Sequence, residues 1–342
     1  MPLGTEKNSL LGASGGGGGG RSIYMLLGYK GGVQSGYSDQ WTPATNTFAT
    51  GSTSSRTING DDGWAIASEE KCFTAGAHYT AGQQYANCYI PGTDAWETLT
   101  NYASYNPGNF GIYAQTNSYI GDYGYMIGGQ WHDGWDYHVE QRVQQYTYAS
   151  AAGTWANVAG FSSAYSTSNG PACNAGGKIY VGPGRSQSAV GGSPNWRNCG
   201  NAYYEYTGGA TNSWSAKTSM PDCDSGTYHQ QGMASFVLSD DPYWFGGNQP
   251  TGCSGGVGNT AQLCMWQYSV SGDSFTSKTQ IPSTQRGEGA TLAQDEEAYM
   301  MNAYDGSLWT DFYSYTDDTW VTLTSGSWGG NRNSYGVGAG DW

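Results

Sequence analysis

Four histidines and seven cysteines carry the most versatile chemistry in this 342-residue chain. His132 and His138 share one stretch with Asp133 and Asp136, a grouping suited to proton transfer or to holding a metal ion. Their spacing matches no ligand motif, so these residues, with His78 and His229, read as solvated loop side chains. The cysteines, at 72, 88, 173, 199, 223, 253 and 264, include no C-x-x-C pair, which argues against a zinc ribbon or a thioredoxin-like site. Cys72 and Cys88 lie on consecutive apolar strands, and Cys253 and Cys264 flank one loop. Each pair can be bridged if its Cα atoms come within about 7 Å. No G-x-S-x-G elbow occurs, and Gly15–Gly20 runs into Arg21-Ser22 without the lysine and helix of a phosphate loop. The expectation is no catalytic residue, no metal and no cofactor.

Recognition chemistry is better represented. Trp131, His132, Asp133, Trp135, Asp136 and Tyr137 crowd the loop 130–140, and Trp196 and Arg197 sit in the loop 185–200. A third long loop spans 248–261. Aromatic faces beside Asp and Arg suit sugar rings, whose C–H faces stack, and equally suit protein anchors. A carboxylated sugar held by Arg142, Arg185, Arg197, Arg286 and Glu288 in a central funnel is the alternative, enzymatic reading. Charge narrows the partners: Lys+Arg 13 against Asp+Glu 27, net −14, supplies no basic stripe for nucleic acid. No apolar run of about 20 residues offers a membrane span.

The elements that must position these loops are strands. Gly 55, Tyr 28 and Trp 14 with 12% charged residues is a composition poor in helix formers and rich in residues that fit a pleated surface. One pattern recurs six times. An apolar strand appears as Ile23–Gly28, Lys71–Gly76, Gly124–Gly129, Lys178–Gly184, Tyr243–Gly247 and Ala298–Ala303. Each is followed by a variable loop, an aromatic strand (38–43, 84–90, 143–150, 201–207, 263–270, 310–316), a tight turn and one bulky ring. Those rings, Phe48, Trp96, Trp155, Trp214, Phe275 and Trp320, are separated by 48, 59, 59, 61 and 45 residues, one four-stranded unit per step.

An apolar strand ending in Gly-Gly, a loop, a Tyr-bearing strand, a turn and a Trp resembles the kelch repeat of β-propellers. Gly128-Gly129, Tyr146 or Tyr148 and Trp155 carry the resemblance in the third copy; Gly246-Gly247, Tyr268 and Phe275 carry it in the fifth. Copies 1, 2, 4 and 6 end instead in Leu27-Gly28, Ala75-Gly76, Gly182-Pro183 and Asn302-Ala303. The resemblance implies an all-β, six-bladed propeller, with glycines where strands crowd and most of the repeat aromatics packed between sheets. Kelch-like propellers include copper oxidases and sialic-acid mutarotases, and no copper ligand set can be placed here. A ring needs closing, and residues 332–339 resemble the inner strand that the first unit lacks; the C-terminal strand is expected to complete the blade begun at Ile23.

The expected organisation is an extended Gly-rich arm, residues 1–20, and a propeller, residues 21–342. The arm has no basic or long apolar region of a Sec-type leader. Its Leu10, Leu11, Gly15 and Gly20 suit a docking peptide on a flexible tether. The combination resembles bacteriophage virion and appendage structural proteins. It implies a soluble, non-enzymatic subunit, virion or extracellular, that docks through its arm onto other protein subunits and offers its loops to protein or glycan. A free lectin is the further alternative, while an intracellular adaptor would bring a partner domain for which the chain has no room.

Overall fold

The computed structural model describes residues 22–30, 33–54, 64–68, 71–75, 84–102, 116–132, 137–147, 153–160, 171–184, 201–223, 233–249, 260–261, 263–282, 290–294, 296–302, 309–323 and 337–339. The first sheet opens with β1 (Ile23–Lys30), β2 (Val33–Thr42) and β3 (Thr47–Thr53). The second is β4 (Trp64–Ser68), β5 (Lys71–Ala75), β6 (Ala86–Ile90) and β7 (Ala95–Thr98). The third begins with β8 (Thr116–Ile120) and β9 (Tyr123–Ile127), inserts a hairpin of β10 (Gln130–His132) and β11 (Tyr137–Val139), and ends with β12 (Val143–Thr147) and β13 (Thr154–Val158). The fourth is β14 (Ala172–Ala175), β15 (Lys178–Val181), β16 (Tyr203–Thr207) and β17 (Ser213–Lys217). The fifth has β18 (Ala234–Leu238) and β19 (Asp241–Phe245), a hairpin of β20 (Asn248–Gln249) and β21 (Thr260–Ala261), then β22 (Met265–Ser269) and β23 (Ser274–Lys278). The sixth is β24 (Ala290–Gln294), β25 (Glu297–Asn302), β26 (Trp309–Ser314) and β27 (Thr319–Thr322).

The last strand, β28 (Val337–Ala339), returns to the first sheet, giving the order β28-β1-β2-β3. Leu26 faces Val337 and Tyr24 faces Ala339, so the ring closes through the C-terminal strand as its pattern implies. Residues 332–336 lie outside the described residues. The inner strands β28, β4, β8, β14, β18 and β24 lie each against the next, the last against the first. The fold is a six-bladed β-propeller.

One aromatic contact repeats at every junction. A ring on the second strand of each blade meets the ring at the equivalent place on the third strand of the next: Tyr24 with Tyr89, Phe73 with Tyr146, Tyr125 with Tyr206, Tyr180 with Tyr268, Tyr243 with Tyr313, and Tyr299 with Trp41. Centroid separations run from 5.3 Å at Tyr125–Tyr206 to 6.2 Å at Tyr24–Tyr89. Such pairs add about 0.5–1.5 kcal/mol each beyond the area they bury. Burial pushes the phenols up, Tyr89 and Tyr146 to about 12, so they stay un-ionised near neutral pH.

Polar bonds follow the same direction of travel. Indole Nε1 atoms donate to the preceding blade: Trp96 to Ser52, Trp155 to Thr100, Trp214 to Ala159 and Trp320 to Thr279, all at 2.9–3.2 Å from the carbonyl oxygen. Beside them, the turn before the outer strand holds a left-handed Asp or Asn at 46, 94, 212, 273 and 318. Asp273 Oδ1 accepts from its own blade's Tyr268 hydroxyl at 2.7 Å and from the preceding blade's Thr218 N–H at 2.9 Å. Asp94 does the same with Tyr89 and Ser52, and Asp318 with Tyr313 and Thr279. Near the axis, Asn174, Ser235 and Thr291 donate to the preceding inner strand, at Tyr119, Ala172 and Ser235.

The backbone N–H of Ser52 holds the Asp94 carboxyl below its usual range, and that of Thr218 does so for Asp273. Glu205, although burial opposes it, is held low by Lys178, Tyr180 and Lys217. Depressed folded-state carboxyls contribute stability that is complete above the unfolded range and is lost as pH falls from there through the lowered folded value. The melting temperature is therefore expected to hold from about pH 7 to about pH 5 and to drop below about pH 4. The drop should shrink in Asp273→Asn, whose amide oxygen still accepts both bonds; an undiminished acid transition in that variant contradicts the assignment. Deleting residues 328–342 should lower stability by at least about 1 kcal/mol, the net value of one backbone hydrogen bond of the ladder that β28 makes with Tyr24, Met25 and Leu26. An unchanged melting curve by circular dichroism would speak against closure.

Candidate binding face

Blades 3 and 5 leave their second strand through paired glycines. Gly128 and Gly129 have φ 63° and 100°, and Gly246 and Gly247 have φ 66° and 90°. Two successive left-handed residues, which a Cβ disfavours, turn the chain out of the sheet. Gly128 N–H closes onto the Arg142 carbonyl, and Gly246 N–H onto that of Cys264, before each chain departs into its added hairpin. The expected reason for these glycines, crowding of strands, is thus corrected to backbone conformation. Crowding does apply at Gly182, where a Cβ would stand 3.0 Å from Pro171 and 3.4 Å from Trp244.

Each hairpin is fastened at its base. Glu140, buried where β11 returns, gives its N–H to the Gly129 carbonyl; its Oε1 accepts from the N–H groups of Gln141 and Arg142. Arg142 Nε lies 3.5 Å from the same oxygen. In blade 5 a disulfide joins Cys264, on the return from β21, to Cys223 beyond β17 of blade 4. Cys264 therefore does not pair with Cys253. Cys72 and Cys88 are buried thiols and not a bridge: Cys72 faces Tyr89 and Cys88 faces Phe73 in register, one position out of step, and alternate strand residues point to opposite faces. Burial pushes the Cys88 thiol up to about 12, which removes it as a nucleophile near neutral pH.

Among the residues expected to bind, Trp131 and His132 lie on β10 and Tyr137 on β11, Trp131 opposite His138 and His132 opposite Tyr137. Asp133, Trp135, Asp136, Trp196 and Arg197 lie outside the described residues, as do the arm positions Leu10, Leu11, Gly15 and Gly20. So do Arg185, Arg286 and Glu288 of the funnel reading, while Arg142 is engaged by Glu140. Among the described residues no group of three or more His, Cys, Asp or Glu is placed to hold a metal ion, and no helix is long and apolar enough to cross a membrane.

The first blade adds a third projection. Beyond a bulge between Leu26 and Gly28, β1 and β2 continue together to Lys30 opposite Val33, past the reach of β28 and β3. Blades 1, 3 and 5 thus extend paired strands at the same end of their sheets. Sequence reasoning located the loops of blades 3 and 5 but missed their pairing and the role of Glu140. The signal was present in Gln130-Trp131-His132 and Tyr137-His138-Val139, two short runs rich in strand formers around a turn-forming Asp-Gly.

No protein-family model and no curated protein sequence matches the chain. A solved structure titled "Structure of YjhT" is similar over 64% of this chain and 67% of its own, at 13% identity and a TM-score of 0.48.

Gly128→Ala and Gly246→Ala are each expected to destabilise the protein by about 1–2 kcal/mol, because alanine must take a left-handed conformation. Chemical denaturation measures this. A neutral effect at both sites would contradict the backbone role given to the doublets.

Proposed function

We propose that this kelch-type ring is a non-catalytic binding module of a virion or other extracellular assembly. It docks through residues 1–20 and offers the hairpins of blades 3 and 5 to a neighbouring protein subunit or a surface glycan. One observation carries the reading: blades 3 and 5 each divert the chain, through a glycine doublet, into an extra fastened hairpin on the face where blade 1 also extends its paired strands. Variable segments on a rigid scaffold are where recognition concentrates. Trp131, His132 and Tyr137 stand on one of these hairpins, and Asp133, Trp135 and Asp136 are at its tip in sequence; Trp196 and Arg197 belong to the corresponding connection of blade 4. The kelch assignment is supported by the doublets and by the Tyr and Trp that join each blade to its predecessor. The Cys223–Cys264 disulfide favours an oxidising, extracellular setting.

Removal of residues 1–20 is expected to leave a ring with unchanged circular dichroism and melting temperature that no longer co-purifies with the particle. Assembly of the truncated chain would refute the docking role.

A further inference from the structure

Next to the aromatic tier runs a row of the opposite character. The residue two positions before each third-strand ring carries a polar group, as at Asn87, Gln144, Trp266 and Asp311. Its partner in register on the second strand is apolar in blades 1, 3, 4 and 6: Met25, Met126, Val181 and Met300. Blades 2 and 5 differ. Thr74 stands opposite Asn87, and Trp244 opposite Trp266, so both members of the pair bring a hydrogen-bonding group. Thr74, Asn87 and Trp244 are at most 2% exposed. Thr74 Oγ1, Asn87 Nδ2, Trp244 Nε1 and Trp266 Nε1 are all enclosed, and none has a hydrogen-bond partner among the described residues. By strand alternation the first pair shares the face of Tyr89 and looks into the junction with blade 1; the second shares the face of Tyr268 and looks into the junction with blade 4. There Trp244 meets Tyr203 edge to face, with centroids 5.4 Å apart. The Tyr203 hydroxyl is likewise enclosed without a partner among the described residues. Burial lifts that phenol well above its usual range, so it keeps its proton.

Counting donors identifies what completes these groups. An indole N–H can only donate, and the phenol oxygen is the one acceptor among Trp244, Trp266 and Tyr203. Even a bond from Trp244 to Tyr203 would leave the phenol O–H and the Trp266 N–H to be met. In blade 2 the Asn87 amide nitrogen only donates, while the Thr74 hydroxyl accepts and must itself donate. Both places call for a small group that accepts and donates. An anion would accept, but it would have to be stripped of water without a free cation beside it: Lys217, opposite Tyr203 in register, is already held by Glu205. We propose that the ring encloses bound water at both places, between Thr74 and Asn87 in the junction of blades 1 and 2, and among Trp244, Trp266 and Tyr203 in the junction of blades 4 and 5. A water in such a site makes two to four hydrogen bonds and serves buried polar groups nearly as well as a direct bond. Asn87 and Trp266 are the second residues of β6 and β22, so the sites lie just inside the end of the ring from which the hairpins leave.

High-resolution crystals of the full chain should show one density peak within about 2.7–3.2 Å of Trp244 Nε1, and a second within that distance of both Thr74 Oγ1 and Asn87 Nδ2. A dry junction overturns the proposal for that junction. In solution, oxygen-17 relaxation dispersion counts water molecules of long residence. The variant T74V/N87L, which replaces both partners by apolar groups of similar shape, should lower that count by one, and an unchanged count overturns the site in blade 2. The indoles are read in protein carrying isotope-labelled tryptophan, with the Trp244 signal identified by its loss in W244F. The Trp244 indole proton should cross-relax with water with the sign of direct contact, whereas that of Trp41, bonded to Asn46 Oδ1 at 3.1 Å, should not. Equal behaviour of the two indoles overturns the site in blade 5. The density and the indole signal decide the matter where the double variant does not fold.

Discussion

The contact on which this ring depends is a ring of one blade's second strand against a ring of the next blade's third strand. Each four-stranded sheet is too small to bury both of its faces by itself, and the pairing of Tyr125 with Tyr206 or Tyr180 with Tyr268 gives each blade a core only in company. Because the relation runs the same way round, the sixth blade is satisfied only by the first, through Tyr299 and Trp41. Closure is thus a requirement of packing before it is one of hydrogen bonding. The three-residue strand β28 can be short because it completes a ring already drawn together by aromatic contact.

Directionality adds the second level. The indole donors and turn carboxylates join the end of one outer strand to the beginning of the next, as Thr218 to Asp273 and Thr279 to Asp318. The same Asp oxygen takes the hydroxyl of the tyrosine that forms the aromatic contact, which places a polar terminus on an otherwise apolar wedge. This answers how so many phenols can be buried: several of them end on the strap that holds their own blade to its neighbour. Where glycine replaces the acid, at Gly153, a Cβ would collide with the Tyr146 ring, so the turn there is shaped by the aromatic itself.

The architecture was legible in the sequence for a physical reason: every blade must repeat the same two faces, so Tyr146 and Trp155 recur as Tyr206 and Trp214 at nearly constant separation. The straps were legible too, as an aromatic residue followed after five or six positions by Asp or Asn and two later by Trp or Phe, for instance Tyr89, Asp94, Trp96. That signal is obscured because Asp and Asn also serve ordinary hairpin turns. The disulfide was not legible, since Cys223 and Cys264 come from different blades and their approach follows from ring geometry and not from local spacing. The binding residues were legible only as a concentration of aromatics in 130–140, and a surface hairpin answers to no buried face that would impose a period on it.

Regularity in the ring has a consequence for its departures. Six similar junctions leave no blade distinguished by its packing, so difference between blades is confined to segments that the aromatic belt does not constrain. At the turn end those segments are short and pinned by left-handed Asp, Asn, Ser or Gly. At the other end the third strand restarts at a carbonyl such as that of Arg142 or Cys264, and anything inserted between the paired glycines and that carbonyl leaves the sheet undisturbed. Length can therefore vary at that end without loss of the core, while the short connections of the turn end stay fixed.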